Sequence, residues 1–126
     1  MTSKRSAAPV LIVEDDAGVR GAFAALLASE GYRVLEAADG LEALRLLRAA
    51  EDLPCLILLD LMMPRMNGWD FRAVQRRDER LDSIPVVVVS ADPLAARATR
   101  MGAAAVLQKP ADPDELLELV DRHRVR

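Results

Sequence analysis

Five side chains stand where apolar runs stop. Glu14 and Asp15 follow Val10-Leu11-Ile12-Val13, Asp60 follows Cys55-Leu56-Ile57-Leu58-Leu59, and Ser90 follows Val86-Val87-Val88-Val89; Lys109 comes just after Ala104-Ala105-Val106-Leu107. Three carboxylates, a hydroxyl and an ammonium have definite chemistry if they meet. Carboxylates about 4 Å apart repel by roughly 4 kcal/mol per pair near a protein surface. A bound proton or a hard divalent cation relieves that repulsion. Mg²⁺ takes oxygen ligands, keeps several waters and is commonly held by one or two carboxylates plus a phosphate. Zinc does not fit, because His123, the one histidine, lies far along the chain and no thiolate joins the acids. With a cation in place, a carboxylate can attack a phosphoryl group and form an aspartyl phosphate. Asp60 stands alone at the end of its run and is the best nucleophile. Glu14 and Asp15 suit the metal, and Lys109 and the Ser90 hydroxyl suit phosphoryl oxygens. Lys4 and Lys109 are the only lysines in an arginine-rich chain. A compact ammonium at position 109 serves a point contact with an acid or phosphate.

The elements between these residues must bring them together. Short apolar runs bounded by polar residues suit strands buried on both faces of a parallel sheet. Asp16 can cap a helix whose apolar face is Val19, Phe23, Leu26 and Leu27 and which stops before Gly31. A strand around Arg33–Glu36 and a helix from about Gly40 to Ala50, carrying Leu41, Ala43, Leu44 and Leu47, come next. The segment Leu61–Gly68 reads as a loop, and a helix runs from about Trp69 to Arg77. Asp92-Pro93 is a cap with proline at the first helical position, opening a short Ala-rich helix that closes at Gly102. Asp112-Pro113 opens the last helix, with Leu116, Leu117, Leu119 and Val120 inward. Five strand–helix alternations call for an α/β fold, a parallel sheet with helices on both faces. In such a sheet the strand ends share one edge, where ligands bind at the reversal of strand order. Glu14, Asp15, Asp60, Ser90 and Lys109 then converge on one crevice.

Composition narrows the rest. The chain of 126 residues is 52% hydrophobic with few aromatics, enough for one domain with an aliphatic core. A net charge of −3 argues against general nucleic-acid binding. No apolar run approaches the roughly 20 residues that span a bilayer, and the N-terminus lacks a secretory signal. We expect a flexible tail over 1–8, one domain over 9–126 and a cytoplasmic location. Cys55, the single cysteine, excludes an internal disulfide and reads as a small core residue. Arg72, Arg76, Arg77 and Arg80 read as a solvated helix face, His123 as exposed, and the Trp69 and Met62 side chains as packing or surface.

Four segments carry a resemblance: Val13-Glu14-Asp15-Asp16 with Arg20; Leu59-Asp60-Leu61-Met62-Met63-Pro64 with Gly68; Val89-Ser90-Ala91-Asp92; and Gln108-Lys109-Pro110. Together and in this order they resemble the signature segments of response-regulator receiver domains in two-component signalling. The resemblance implies a flavodoxin-like (βα)5 doubly wound fold, a five-stranded parallel sheet of order 2-1-3-4-5. It implies a signalling module of the stand-alone, chemotaxis-regulator-like type, not an enzyme. Asp60 would take phosphate from a sensor histidine kinase or a histidine phosphotransfer protein. Mg²⁺ would be held by Asp15, by Asp60, by the Met62 main-chain carbonyl and, through water, by Glu14. Ser90 and Lys109 would engage the phosphoryl group, and the Lys109-Pro110 bond would be cis. The target would dock on the face of the fourth helix, fifth strand and fifth helix, with no nucleic acid or membrane involved.

The sequence departs from that pattern on the output side. Val106 stands where such domains carry Tyr or Phe, and the stretch from Ser90 to Gly102 is about three residues short. The standard Ser–aromatic coupling is therefore not expected. Rival readings are an aspartyl-nucleophile phosphatase, a nucleotide-binding module and a degenerate receiver that binds partners without phosphorylation. The phosphatase needs a second acid where Met62 stands. The nucleotide module needs a glycine-rich phosphate loop after the first strand, and none is present.

Overall fold

The computed structural model describes residues 8–126, and strand and helix alternate through them in the expected order. Strand β1 (Val10–Val13) leads to α1 (Ala17–Ser29), β2 (Val34–Ala37) to α2 (Gly40–Ala49) and β3 (Leu56–Leu59) to α3 (Gly68–Arg77). Strand β4 (Val86–Ser90) leads to a 3₁₀ helix (Ala95–Met101), and β5 (Ala105–Gln108) to α4 (Pro113–His123). Among the described residues all strand pairs are parallel, in the order β2-β1-β3-β4-β5. The flavodoxin-like α/β class expected from the sequence is the fold of this chain.

The continuous apolar runs exist because the central strands are covered on both sides. Leu11, Val13, Ile57, Leu59, Val86 and Val88 point to one face and pack with Ala43, Leu44 and Leu47 of α2, Phe71 of α3 and Ala95 and Ala98 of the 3₁₀ helix. Val10, Ile12, Leu56, Leu58, Val87 and Val89 point to the other, against Leu27 of α1 and Leu116 and Val120 of α4. After β1 the chain turns to the α1 side, and after β3 to the α3 side. The ends of these adjacent strands thus flank the switch point, where a crevice opens.

Each α-helix starts within a few residues of the strand end before it or after a tight loop, and each start is capped by a side chain. Asp16 accepts from the Val19 amide (3.0 Å), Asp39 from Glu42 (2.9 Å), Asn67 from Asp70 (2.8 Å) and Asp112 from Glu115 (3.1 Å). These bonds satisfy amides that a helix start leaves without partners.

Several expectations need correction. Of the apolar residues that α2 carries, Leu41 is 45% exposed, because Ala43, Leu44 and Leu47 turn the helix's apolar stripe to the sheet. Asp92 does not cap a helix at Pro93. Its carboxylate accepts from the Leu94 amide (2.8 Å), which closes a tight turn, and the helical segment that follows is 3₁₀ and has no side-chain cap. Cys55 is a buried core residue, as expected, whereas His123, expected to be exposed, is half-buried. Of the expected tail, positions 1–7 lie outside the described residues, and Ala8 packs half-buried on the second core.

Arg76, Arg77 and Arg80 are exposed, as expected, but Arg72 is not part of a solvated face. Arg72 is buried: its Nε donates to the Met101 carbonyl (3.0 Å), Nη2 to the Gly102 carbonyl (3.2 Å) and Nη1 to Gln75 Oε1 (2.8 Å). Gln75 in turn donates to the Leu81 and Ile84 carbonyls (2.9 and 3.1 Å). Arg80 donates to the Leu47 and Ala50 carbonyls at the end of α2. Both guanidiniums sit on carbonyls that helix ends leave open, where positive charge is favoured. A string of arginines on a polar helix gives no hint of this in sequence.

Truncation of Arg72 to Ala removes three hydrogen bonds from a buried site. The expected loss is about 2–4 kcal/mol of unfolding free energy by urea denaturation, with faster amide exchange confined first to residues 95–102.

Candidate functional site

The C-terminal edge of the sheet gathers the acids. One carboxylate oxygen from each of Glu14, Asp15 and Asp60 lies within 4.8 Å of the others. Glu14 and Asp60 are only 2% and 5% exposed, while Asp15 faces solvent. Parallel pairing sets this: Val13 is level with Leu59, and the Asp60 amide donates to the Val13 carbonyl (3.0 Å). The residues that follow the two strands are therefore neighbours.

Lys109 enters from the end of β5. Its ammonium hydrogen-bonds Glu14 Oε1 and stands 3.4 Å from Asp60 Oδ2. Its backbone amide donates to the Ser90 carbonyl (3.0 Å), and the Lys109-Pro110 bond is cis, as the resemblance implied. Ser90 is fully buried at the end of β4, and its Oγ accepts from the Asp92 amide (3.1 Å). It lies on the strand beside that of Asp60, two positions past Val88, the partner of Leu59. The Met62 side chain is exposed, and its amide donates to Asp60 Oδ1 (3.3 Å).

The electrostatics follow from burial and company. Burial pushes the Glu14 carboxyl up to about 7, against the hydrogen bonds from Lys109 and from the Asp16 amide (3.1 Å). Burial also works against the Lys109 charge, but Glu14 and Asp60 hold its ammonium above the usual value. One cation thus answers three acids. A crowded all-oxygen set with an excess of negative charge fits a hard divalent ion such as Mg²⁺ and offers nothing to a soft one.

The chain around Asp60 is fixed tightly. A Cβ on Gly68 would lie 2.3 Å from the Asp60 carbonyl oxygen and 2.7 Å from the Leu61 Cα. Only glycine lets α3 begin against the backbone of Asp60. The Gly68 amide donates to the Leu61 carbonyl (3.0 Å), closing the loop. Half-buried Trp69 lines a shallow groove with Asp15, Met62 and Asp92. A separate apolar cavity lined by Leu53, Pro54, Cys55 and Ile84 lies at the opposite end of the strands.

Sequence reasoning missed two side chains around this edge, Asp39 and Arg65, and gave no role to Arg20, which it had named. Arg20 donates to the Glu14 carbonyl (2.8 Å) and pairs with Glu36 (3.3 Å). Asp39 is 1% exposed, caps α2 and is paired with Arg65 of the loop between Asp60 and α3. Asp39 was readable as a helix cap, and Glu42 reaches back to accept from the Ala38 amide just before it (3.1 Å). Nothing in the sequence pointed to Arg65.

The response regulator receiver domain family matches residues 10–121. Response regulator Rre1 of Synechocystis is 37% identical over 115 residues, covering 88% of this chain and 49% of Rre1. Two-component response regulator ORR5 of rice is 32% identical and covers 94% and 91%. This chain thus spans about half the length of Rre1. A response regulator receiver protein from Pseudomonas putida superposes with a TM-score of 0.85 at 33% identity, covering 93% and 98%. Chemotaxis protein CheY4 of Vibrio cholerae superposes with a TM-score of 0.84 at 30% identity, covering 94% and 99%.

Asp39 gives a pH-dependent expectation. Burial would raise its carboxyl, but the amides of Glu42 and Leu41 and the Arg65 guanidinium together hold it below its ordinary value of 3.8. A lowered value means that its stabilisation is present above the ordinary carboxylate range and is lost as pH falls through the folded value. Asp39→Asn keeps the cap but loses the charge that answers Arg65, which should cost about 1–2 kcal/mol at pH 7, and the gap to the wild type should close as denaturation is followed below pH 4.

Proposed function

This chain belongs to the response regulator receiver domain family, and on that premise we propose that it accepts a phosphoryl group on Asp60 in an Mg²⁺-dependent reaction. The observation that carries the reading is the meeting of Glu14, Asp15 and Asp60 beside the Lys109 ammonium. Receiver domains are signalling modules that bind Mg²⁺ at an acidic pocket, and this pocket has the composition to do so. Asp15, Asp60, the Met62 carbonyl and, through water, Glu14 would hold the ion, which supplies positive charge for the notch and the incoming phosphoryl oxygens.

The chain's own groups do the rest. Met62 N–H holds Asp60 Oδ1, which leaves Oδ2, on the Lys109 side, as the attacking atom. A bond forms between Oδ2 and phosphorus as the bond from phosphorus to the donor's imidazole nitrogen breaks, and its electron pair leaves with the imidazole. Lys109 follows the charge from the carboxylate to the phosphoryl oxygens. The Ser90 hydroxyl, whose oxygen accepts from Asp92, has its proton available for a second oxygen. Positioning and charge stabilisation account for the reaction, as expected for phosphoryl transfer.

The donor is a sensor histidine kinase or a histidine phosphotransfer protein in the cytoplasm, and residues 9–126 form the receiver. The phosphorylated form signals by docking or by passing the group onward. Its target meets the face of the 3₁₀ helix, β5 and α4, where Arg97 and Arg100 are exposed, and neither nucleic acid nor membrane takes part. Among the described residues, no helix is long and apolar enough to cross a membrane. Val106 keeps a second reading in view, a degenerate receiver that acts without phosphorylation.

Incubation with acetyl phosphate and Mg²⁺ separates the two. Intact-mass measurement should show one added phosphoryl group on the wild type and none on Asp60→Asn or on wild type with the metal chelated. No gain in any sample would favour the degenerate receiver.

A further inference from the structure

Arg65 is the only described non-glycine residue in the left-handed backbone region, with φ 64°, a conformation disfavoured for a residue with a Cβ. Such a residue persists only where its surroundings hold it. Here the holding contact is visible. Arg65 Nε donates to Asp39 Oδ2 (2.7 Å), and its Nη2 reaches the same oxygen. The two partners differ sharply in setting: the Arg65 side chain is 65% exposed and the Asp39 side chain 1%. This is not an ordinary surface ion pair, because the carboxylate it serves is out of water and needs charged or polar company.

Asp39 divides its work between its oxygens. Oδ1 caps α2 through the Glu42 amide, so α2 has its cap whether or not Arg65 is present. Oδ2 takes Arg65, which belongs to the loop between Asp60 and α3. The neighbouring residue ties the same two segments. The Gly40 amide donates to the Met66 carbonyl (3.2 Å), and a Cβ on Gly40 would lie 2.7 Å from Met66 Cγ. The other end of the loop is closed by Gly68 on Leu61. Between these anchors lies Met62, whose amide sets one oxygen of Asp60.

We infer that Arg65 is a positioning residue for the acceptor loop: its pairing with buried Asp39 holds the Leu61–Asn67 turn in the shape that orients the Asp60 carboxylate and presents Met62 to the acidic notch. The inference rests on the acceptor reading above and adds a residue to it. Arg65 touches neither the phosphoryl group nor the metal; it acts through the loop backbone.

The test uses the full chain with Arg65→Ala, Arg65→Lys, Asp39→Asn and the Asp39→Asn/Arg65→Ala double variant. Amide exchange of residues 62–67 is measured without metal, and Mg²⁺ affinity is read from the fluorescence of Trp69, the single tryptophan. Arg65→Ala should speed exchange in the loop and weaken Mg²⁺ binding about three- to tenfold. Arg65→Lys should recover much of the affinity, and Arg65→Ala should have little further effect in the Asp39→Asn background. A folded Arg65→Ala protein with a lower Tm but Mg²⁺ affinity and loop exchange within twofold of wild type would overturn the inference and leave the pair a purely structural contact. Should the wild type neither bind Mg²⁺ nor take up a phosphoryl group, the acceptor reading falls first and this inference with it.

Discussion

Three carboxylates held against a single ammonium constitute the constraint from which the rest of this molecule can be read. At separations of about 4 Å each like-charge pair costs roughly 4 kcal/mol near a surface, and Glu14 and Asp60 are almost wholly buried. The fold tolerates this cost because it fixes the acids through their backbones. Parallel pairing of β1 with β3 sets Val13 level with Leu59, so the residues after them must be neighbours. The Asp16 cap starts α1 directly behind Glu14 and Asp15, and Gly68 lets α3 press against Asp60. Lys109 reaches the same point from the far side of β4. The tension is relieved in part by Lys109 and in part by the upward shift of Glu14. What remains is an affinity for positive charge.

Much of this was legible in the sequence, for physical reasons that can be named. Val10–Val13 and Val86–Val89 are apolar at every position because both faces of the sheet are covered, and no polar residue could sit there. The polar residues that end these runs must emerge at the edge, which is why Glu14, Asp15, Asp60, Ser90 and Lys109 could be grouped before any coordinates. Helix starts at Asp16 and Asp112 were readable because a cap is a local event. The parts that could not be read are set by tertiary partners. Arg72 looks like a solvent-facing arginine until the carbonyls of Met101 and Gly102 are placed beside it, and nothing in the sequence announces the bonds of exposed Arg80 to Leu47 and Ala50. The 3₁₀ character of Ala95–Met101 was hidden as well, because an Ala-rich stretch favours the α-helix and the shortness of the connection overrode that preference.

The output side differs in kind from the chemistry. Val106 is half-buried and packs on the core where an aromatic ring would be expected. The segment beside it is a 3₁₀ helix, a geometry with weaker hydrogen bonds that is common at hinges. Its C-terminal end is tied to α3 by Arg72, while its N-terminal approach begins at Ser90 and Asp92. Phosphorylation would exchange the Asp60 carboxylate for a group of about −1.5 to −2 charge beside Ser90. A full swing between two states takes roughly 5.5 kcal/mol of differential stabilisation, more than one charged hydrogen bond of about 1.5–3 kcal/mol can give. A chain lacking the aromatic ring is therefore expected to shift in part, with a bound partner completing the change.

The central claim, that the acids act as one charged notch, is tested most directly by calorimetric titration with Mg²⁺ of the wild type, Asp15→Asn, Asp60→Asn and Lys109→Met. The account predicts one bound ion in the wild type, binding at least tenfold weaker in either asparagine variant, and no weakening when the ammonium is removed. Equal affinity in the wild type and in Asp60→Asn would contradict it.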